Sequence, residues 1–125
     1  MSMDQTILIL DDQPDITGLF EDYIAMSCEV NIITSNVPAE AMGIVESTKL
    51  CLIVTDHLMP GMSGIQFVRS IRGSQGINKA CPVIIFTGME TEVKNELEGL
   101  IENVTVLDKL SKIDEIVEVV GKFID

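Results

Sequence analysis

Leu50-Cys51-Leu52-Ile53-Val54-Thr55-Asp56-His57-Leu58-Met59-Pro60-Gly61-Met62-Ser63-Gly64 is an apolar run that stops at a carboxylate and then turns. Residues 50–54 are apolar without alternation, as in a strand covered on both faces, and the Pro-Gly-Met-Ser-Gly segment can only be a turn or loop. In an open α/β sheet, side chains at the carboxyl ends of strands line the functional crevice, and Asp56 stands at such an end. Alone it reads as an ordinary turn aspartate. The flanking sequence supplies the context.

Toward the N-terminus, residues 6–10 (Thr-Ile-Leu-Ile-Leu) repeat the apolar pattern and run into Asp11-Asp12. Pro14 fits the first turn of a following helix with Ile16, Leu19, Phe20, Tyr23 and Ile24 on one face. Residues 30–34 read as a short strand. Ser35 or Asn36 can cap the next helix, with Pro38 in its first turn and Val37, Ala41, Ile44 and Val45 as its buried stripe. Toward the C-terminus, Ile65, Val68 and Ile71 mark a third helix, which ends as residues 73–79 become polar and glycine-containing. Pro82 can open a strand but not sit in its middle, so residues 83–86 form a fourth strand, tipped by Thr87. Val93, Leu97, Leu100 and Ile101 predict a fourth helix, weakened by Gly99, with Glu92, Glu96, Glu98 and Glu102 on its acidic face. Residues 104–107 are a fifth strand leading into Asp108-Lys109. Ile113, Ile116, Val117, Val120, Phe123 and Ile124 make a closing amphipathic helix.

Five strands alternating with five helices require right-handed crossovers and a parallel sheet covered on both faces. The expected fold is α/β, a doubly wound three-layer domain over residues 1–125 with its core at about 6–124. With 46% hydrophobic and 22% charged residues and no run long enough to cross a bilayer, a soluble protein is expected. Met1-Ser2-Met3-Asp4 lacks the basic-then-apolar pattern of a signal peptide, and Cys28, Cys51 and Cys81 have no metal-ligand spacing. Reduced core thiols in the cytoplasm are the expectation. The net charge of −12 opposes contact with nucleic-acid backbones or anionic membranes and favours cations and proteins as partners.

The strand ends carry Asp11 and Asp12, Asp56, Thr87 and Lys109, and the fold gathers them on one edge. Two carboxylates about 4 Å apart repel by roughly 4 kcal/mol at an effective dielectric near 20. One lysine cannot balance three, whereas a hard divalent ion such as Mg²⁺, or Mn²⁺, brings the formal sum near zero and leaves a position for a phosphoryl oxygen. In such a site a carboxylate can attack phosphorus, and Asp56, alone on a central strand, is best placed.

From about Ile7 to Phe123 the chain resembles the receiver domain of bacterial two-component response regulators. The most specific motif is Asp56 followed by Leu58-Met59-Pro60-Gly61-Met62-Ser63-Gly64. The resemblance implies a (βα)5 flavodoxin-like fold with sheet order 2-1-3-4-5. It also implies Mg²⁺-dependent phosphotransfer from a histidine kinase or histidine phosphotransfer protein. By this resemblance Asp56 is the phosphoacceptor, Asp11 and Asp12 hold the metal with Asp56 and the backbone carbonyl of Leu58, Thr87 is the switch hydroxyl, and Lys109 binds the phosphate. It further implies an output surface for a downstream protein or domain on the fourth helix, fifth strand and fifth helix. The phosphoryl group is accepted rather than turned over, apart from slow hydrolysis of the domain's own acyl phosphate.

The chain departs from the family at two points. Leu110 follows Lys109 where the family has a cis proline, and a cis bond before any other residue costs about 2.5–4 kcal/mol. Val106 stands where the family has an aromatic residue that turns inward, so no aromatic switch is expected. In the family the positions two beyond the phosphoacceptor and two beyond the switch hydroxyl flank the hydrolytic water. Here they are Leu58 and Met89, which either shield the acyl phosphate or point to solvent.

A dehalogenase-type phosphatase resembles an Asp-x-Asp pattern that is missing at Asp11-Asp12-Gln13, and no Gly-Lys pair marks a nucleotide loop. A pseudo-receiver, acting as a protein-binding module without phosphorylation, is the alternative; Val106 and Leu110 support it and the intact acids oppose it. His57 reads as an exposed loop residue rather than a catalyst, and Met42, Met59, Met62 and Met89 as packing and loop residues. The residues contain no segment for DNA binding or second-messenger synthesis, so the chain is either a stand-alone regulator or a piece of a longer one.

Overall fold

The computed structural model describes residues 4–97, 101–109, 111 and 113–124. The elements are β1 (Thr6–Leu10), α1 (Pro14–Ser27), β2 (Asn31–Ser35), α2 (Pro38–Ser47), β3 (Leu52–Asp56), α3 (Gly64–Gly73), β4 (Val83–Thr87), α4 (Glu90–Leu97), β5 (Val104–Asp108) and α5 (Ile113–Gly121). All neighbouring strands pair in parallel, in the expected order β2-β1-β3-β4-β5. The strand order reverses between β1 and β3, so the tips carrying Asp11 and Asp56 lie side by side at the switch point of the sheet.

Strand alternation divides the core into two layers. Leu8, Leu10, Ile53, Val83, Ile85 and Val106 face α2, α3 and α4. Ile7, Ile9, Leu52, Val54, Ile84 and Phe86 face α1 and α5. Helix starts follow local chemistry. Pro14 and Pro38 occupy first turns, where a missing N–H is no loss. At α3, the Ser63 hydroxyl accepts from the Gln66 backbone N–H at 3.2 Å and the Gln66 side-chain Oε1 accepts from the Ser63 N–H at 2.9 Å, closing a capping box.

Several helix expectations are corrected. Leu19, Tyr23 and Val37 are exposed, because burial follows Thr17, Phe20 and Ile24 in α1 and Pro38, Ala41 and Val45 in α2. Neither Ser35 nor Asn36 caps α2: Val37 is the N-cap, while Ser35 Oγ accepts from the Val37 N–H at 3.3 Å and Asn36 donates to the Asp11 carbonyl at 2.9 Å. α4 is described over Glu90–Leu97, and Ile101 and Glu102, expected in it, lie in a bend instead; Glu98, Gly99 and Leu100 lie outside the described residues. Leu110 also lies outside them. The polar 73–79 segment conceals a buried clamp, Asn78, which accepts from the Leu50 N–H at 2.9 Å and donates to the carbonyls of Val45 and Thr48 at 2.7 and 2.6 Å.

The three cysteines are free thiols. Burial pushes Cys81 up to about 11, with Cys51 adding to the shift, so its thiol stays protonated and packs as a core residue.

Candidate functional site

At the β1 tip Asp11 is fully buried, and its Oδ1 accepts the Gln13 N–H at 2.9 Å. Its Oδ2 is buried with no hydrogen-bond partner. At the β3 tip Asp56 is nearly buried, and its Oδ1 accepts the N–H of His57 at 2.7 Å. Ligand oxygens of Asp11, Asp12 and Asp56 all lie within 4.8 Å of one another. Lys109 enters from the end of β5, placing Nζ 3.1 Å from Asp56 Oδ1 and 4.0 Å from Asp11 Oδ2. Its ammonium lies over the Phe86 ring, 5.6 Å from the centroid, and Phe86 rests edge-on against Phe20 at 4.8 Å. The aromatic face thus adds a cation–π contact to the two carboxylate contacts of the ammonium.

The electrostatics are those of an under-neutralised cluster. Asp11 is pushed up to about 6, first by burial and then by Asp56 and Asp12, against the opposing pull of the Gln13 N–H and Lys109. An orphaned buried carboxylate oxygen, facing two further carboxylates and one ammonium, fits a hard divalent cation held by oxygens.

Asp11, Asp12, Asp56 and Lys109 therefore converge as the strand-end pattern predicts. Thr87 sits at the β4 tip and is almost fully buried; its Oγ1 accepts from the Met89 N–H at 3.0 Å. Leu58 lies in the loop beyond Asp56 with its side chain 62% exposed, and Met89 is 39% exposed. His57 corrects the expectation of an exposed loop residue: it is only 8% exposed, because β3 runs through Asp56 and the next side chain is still covered. Two positions in the Asp56 motif are conformationally special. Gly61 has φ +87°, in the left-handed region. A Cβ on Gly64 would lie 2.6 Å from the Asp56 carbonyl oxygen, so α3 reaches the β3 tip this closely only with glycine there.

Fold and site together define a doubly wound α/β protein with an acidic, lysine-bridged pocket at the carboxyl edge of its sheet. A model of the response regulator receiver domain family matches residues 7–121, and the chain belongs to that family, whose members are signalling modules of two-component systems. It is 30% identical over 98 residues to the regulatory protein VanR of Enterococcus faecium, a match covering 78% of this chain and 40% of VanR. Among solved structures, the response regulator TrrA of Thermotoga maritima, in complex with Mg²⁺-BeF, is 26% identical, with a TM-score of 0.80 over 95% of this chain and 98% of that one. The Francisella response regulator 1452 receiver domain is 24% identical, with a TM-score of 0.81 over 95% of each chain, and shows the same fold. No helix among the described residues is long and apolar enough to cross a membrane.

Proposed function

We propose that this chain is a phosphoacceptor receiver that takes a phosphoryl group onto Asp56 from a cytoplasmic histidine kinase or histidine phosphotransfer protein. The observation that carries the reading is the position of Lys109, 3.1 Å from Asp56 and 4.0 Å from Asp11, over an acid cluster short of positive charge. Residues 1–125 act as one receiver unit in this reading.

Asp56 Oδ1 is held by the His57 N–H and by Lys109, which orients the carboxylate and leaves Oδ2 as the attacking oxygen. A P–O bond forms to Asp56 as the P–N bond of the donor's phosphoimidazole breaks. The imidazole leaves with that bond's electron pair and takes a proton from solvent. Lys109 stabilises charge on the oxygens of the transferring group. Asp11, Asp12, Asp56 and the Leu58 carbonyl would hold Mg²⁺, or Mn²⁺, which when bound neutralises the acids and binds a phosphoryl oxygen. Thr87 then exchanges the Met89 N–H for the phosphoryl group, and the β4–α4 loop follows. The output surface is α4, β5 and α5, presented to a downstream protein or domain. Leu58 and Met89 flank the pocket without a group that can orient water, so hydrolysis of the acyl phosphate is slow.

The test is labelling with acetyl phosphate and Mg²⁺ followed by peptide mapping. Wild type is expected to label at Asp56 and Asp56→Asn to lose the label. Labelling of Asp11 or Asp12 at unchanged yield overturns the assignment, and no labelling at all favours a pseudo-receiver.

A further inference from the structure

His57 has its backbone fully engaged and its side chain not. Its N–H binds Asp56 Oδ1 at 2.7 Å, and its carbonyl accepts from the Gly64 N–H at 2.7 Å, fastening it between the phosphoacceptor and α3. Its imidazole is buried, yet Nδ1 has no hydrogen-bond partner; apart from Asp11 Oδ2 it is the one such side-chain atom among the described residues. A polar atom in that position is destabilising and calls for an explanation beyond packing.

The sheet register points to its counterpart. Asp56 pairs with Phe86 at the end of the β3–β4 register, and that register carried one position further sets His57 opposite Thr87; alternation continued in the same way assigns both to the face covered by α3 and α4, away from the layer of Phe86. In the unphosphorylated protein the Thr87 hydroxyl is occupied by the Met89 N–H at 3.0 Å. One acceptor is thus satisfied and its neighbour is not.

We propose that His57 is a positioning residue of the switch, whose Nδ1 accepts the Met89 N–H when Thr87 leaves it for the phosphoryl group. The inference rests on the phosphoacceptor reading above. The two states are complementary: the resting form satisfies Met89 through Thr87 and leaves Nδ1 unpaired, whereas the phosphorylated form would release the amide of Met89 beside an unpaired acceptor. The neutral ring, with its proton on Nε2, is the form that accepts. Val106 carries no polar group and cannot do this, so the coupling passes through the strand on the other side of Thr87.

His57 is the only histidine in the chain, so its ring nitrogens are directly assignable by long-range ¹⁵N–¹H correlation in ¹⁵N-labelled protein. On adding Mg²⁺ and beryllofluoride, Nδ1 is expected to shift as an imidazole nitrogen does on accepting a hydrogen bond, with the Met89 amide proton moving downfield. His57→Leu is expected to weaken beryllofluoride binding about fivefold, roughly the contribution of one neutral hydrogen bond, and to reduce the Met89 shift. An Nδ1 resonance that stays put while wild type binds beryllofluoride and labels at Asp56 overturns the role of His57 and leaves the phosphoacceptor reading standing. Failure of wild type to label or to bind beryllofluoride overturns both.

Discussion

Lys109 Nζ lies 3.1 Å from Asp56 Oδ1, within the same acid cluster that would hold a divalent cation. Lysine and metal therefore compete electrostatically for the same carboxylates while both favour a phosphoryl group. Replacing the ammonium should move the two properties in opposite directions. Lys109→Met is expected to bind Mg²⁺ several-fold more tightly by calorimetric titration and to label from acetyl phosphate at least tenfold more slowly. Tighter metal binding with unimpaired labelling would show that Lys109 does not assist transfer. Removing Asp11 or Asp12 instead is expected to weaken Mg²⁺ binding, and labelling with it.

The raised pKa of Asp11 sets a pH dependence whose sign follows from linkage. A carboxyl at about 6 in the folded chain, against 3.8 as its ordinary value, favours the folded state while protonated. That stability is fully present below about pH 4 and is lost as the pH rises through about 6, a difference of about 3 kcal/mol. In chelator, wild type and Asp11→Asn are expected to melt alike near pH 4, and Asp11→Asn to melt higher by pH 7. Mg²⁺ affinity should fall as the pH drops below about 6, since the ion must displace the Asp11 proton. A constant melting difference from pH 4 to 7 would contradict the assignment.

Gly64 couples α3 to Asp56. A Cβ there would meet the Asp56 carbonyl oxygen at 2.6 Å, and backbone rather than a flexible side chain has to yield. Gly64→Ala is expected to lower stability by about 1–3 kcal/mol in urea melts and to slow labelling by displacing Asp56. Gly73 has open space at its Cβ position, so Gly73→Ala serves as the control and should do neither.

Leu58, two residues beyond Asp56, and Met89, two beyond Thr87, are exposed, and neither can accept a proton or hold a water. Phospho-Asp56 should therefore decay slowly, and Leu58→Asn combined with Met89→Glu should shorten its lifetime about tenfold or more. The decay of labelled protein after removal of phosphodonor decides this. A double variant that decays no faster than wild type removes the role of these side chains.

The strand ends were legible because each apolar run stops at a polar residue of distinct chemistry. Asp11, Asp12, Asp56, Thr87 and Lys109 could be placed from their own neighbours, and the alternation of strands and helices then required one edge to collect them. Helical faces were less legible. Leu19 and Tyr23 share a face with Phe20 and Ile24 by spacing, yet only the latter pair is covered, since periodicity marks an apolar side without saying how wide a strip the sheet buries.

Sequence by itself determined the order of elements, the parallel sheet and the identity of the strand-end residues, all of which follow from residue type and spacing within a few positions. Tertiary structure alone decided the burial of His57, the clamp at Asn78, the seat of the Lys109 ammonium over Phe86 and the raised pKa of Asp11. Each depends on groups brought close from distant parts of the chain, and both desolvation and Coulomb energy are set by distances that no local pattern encodes.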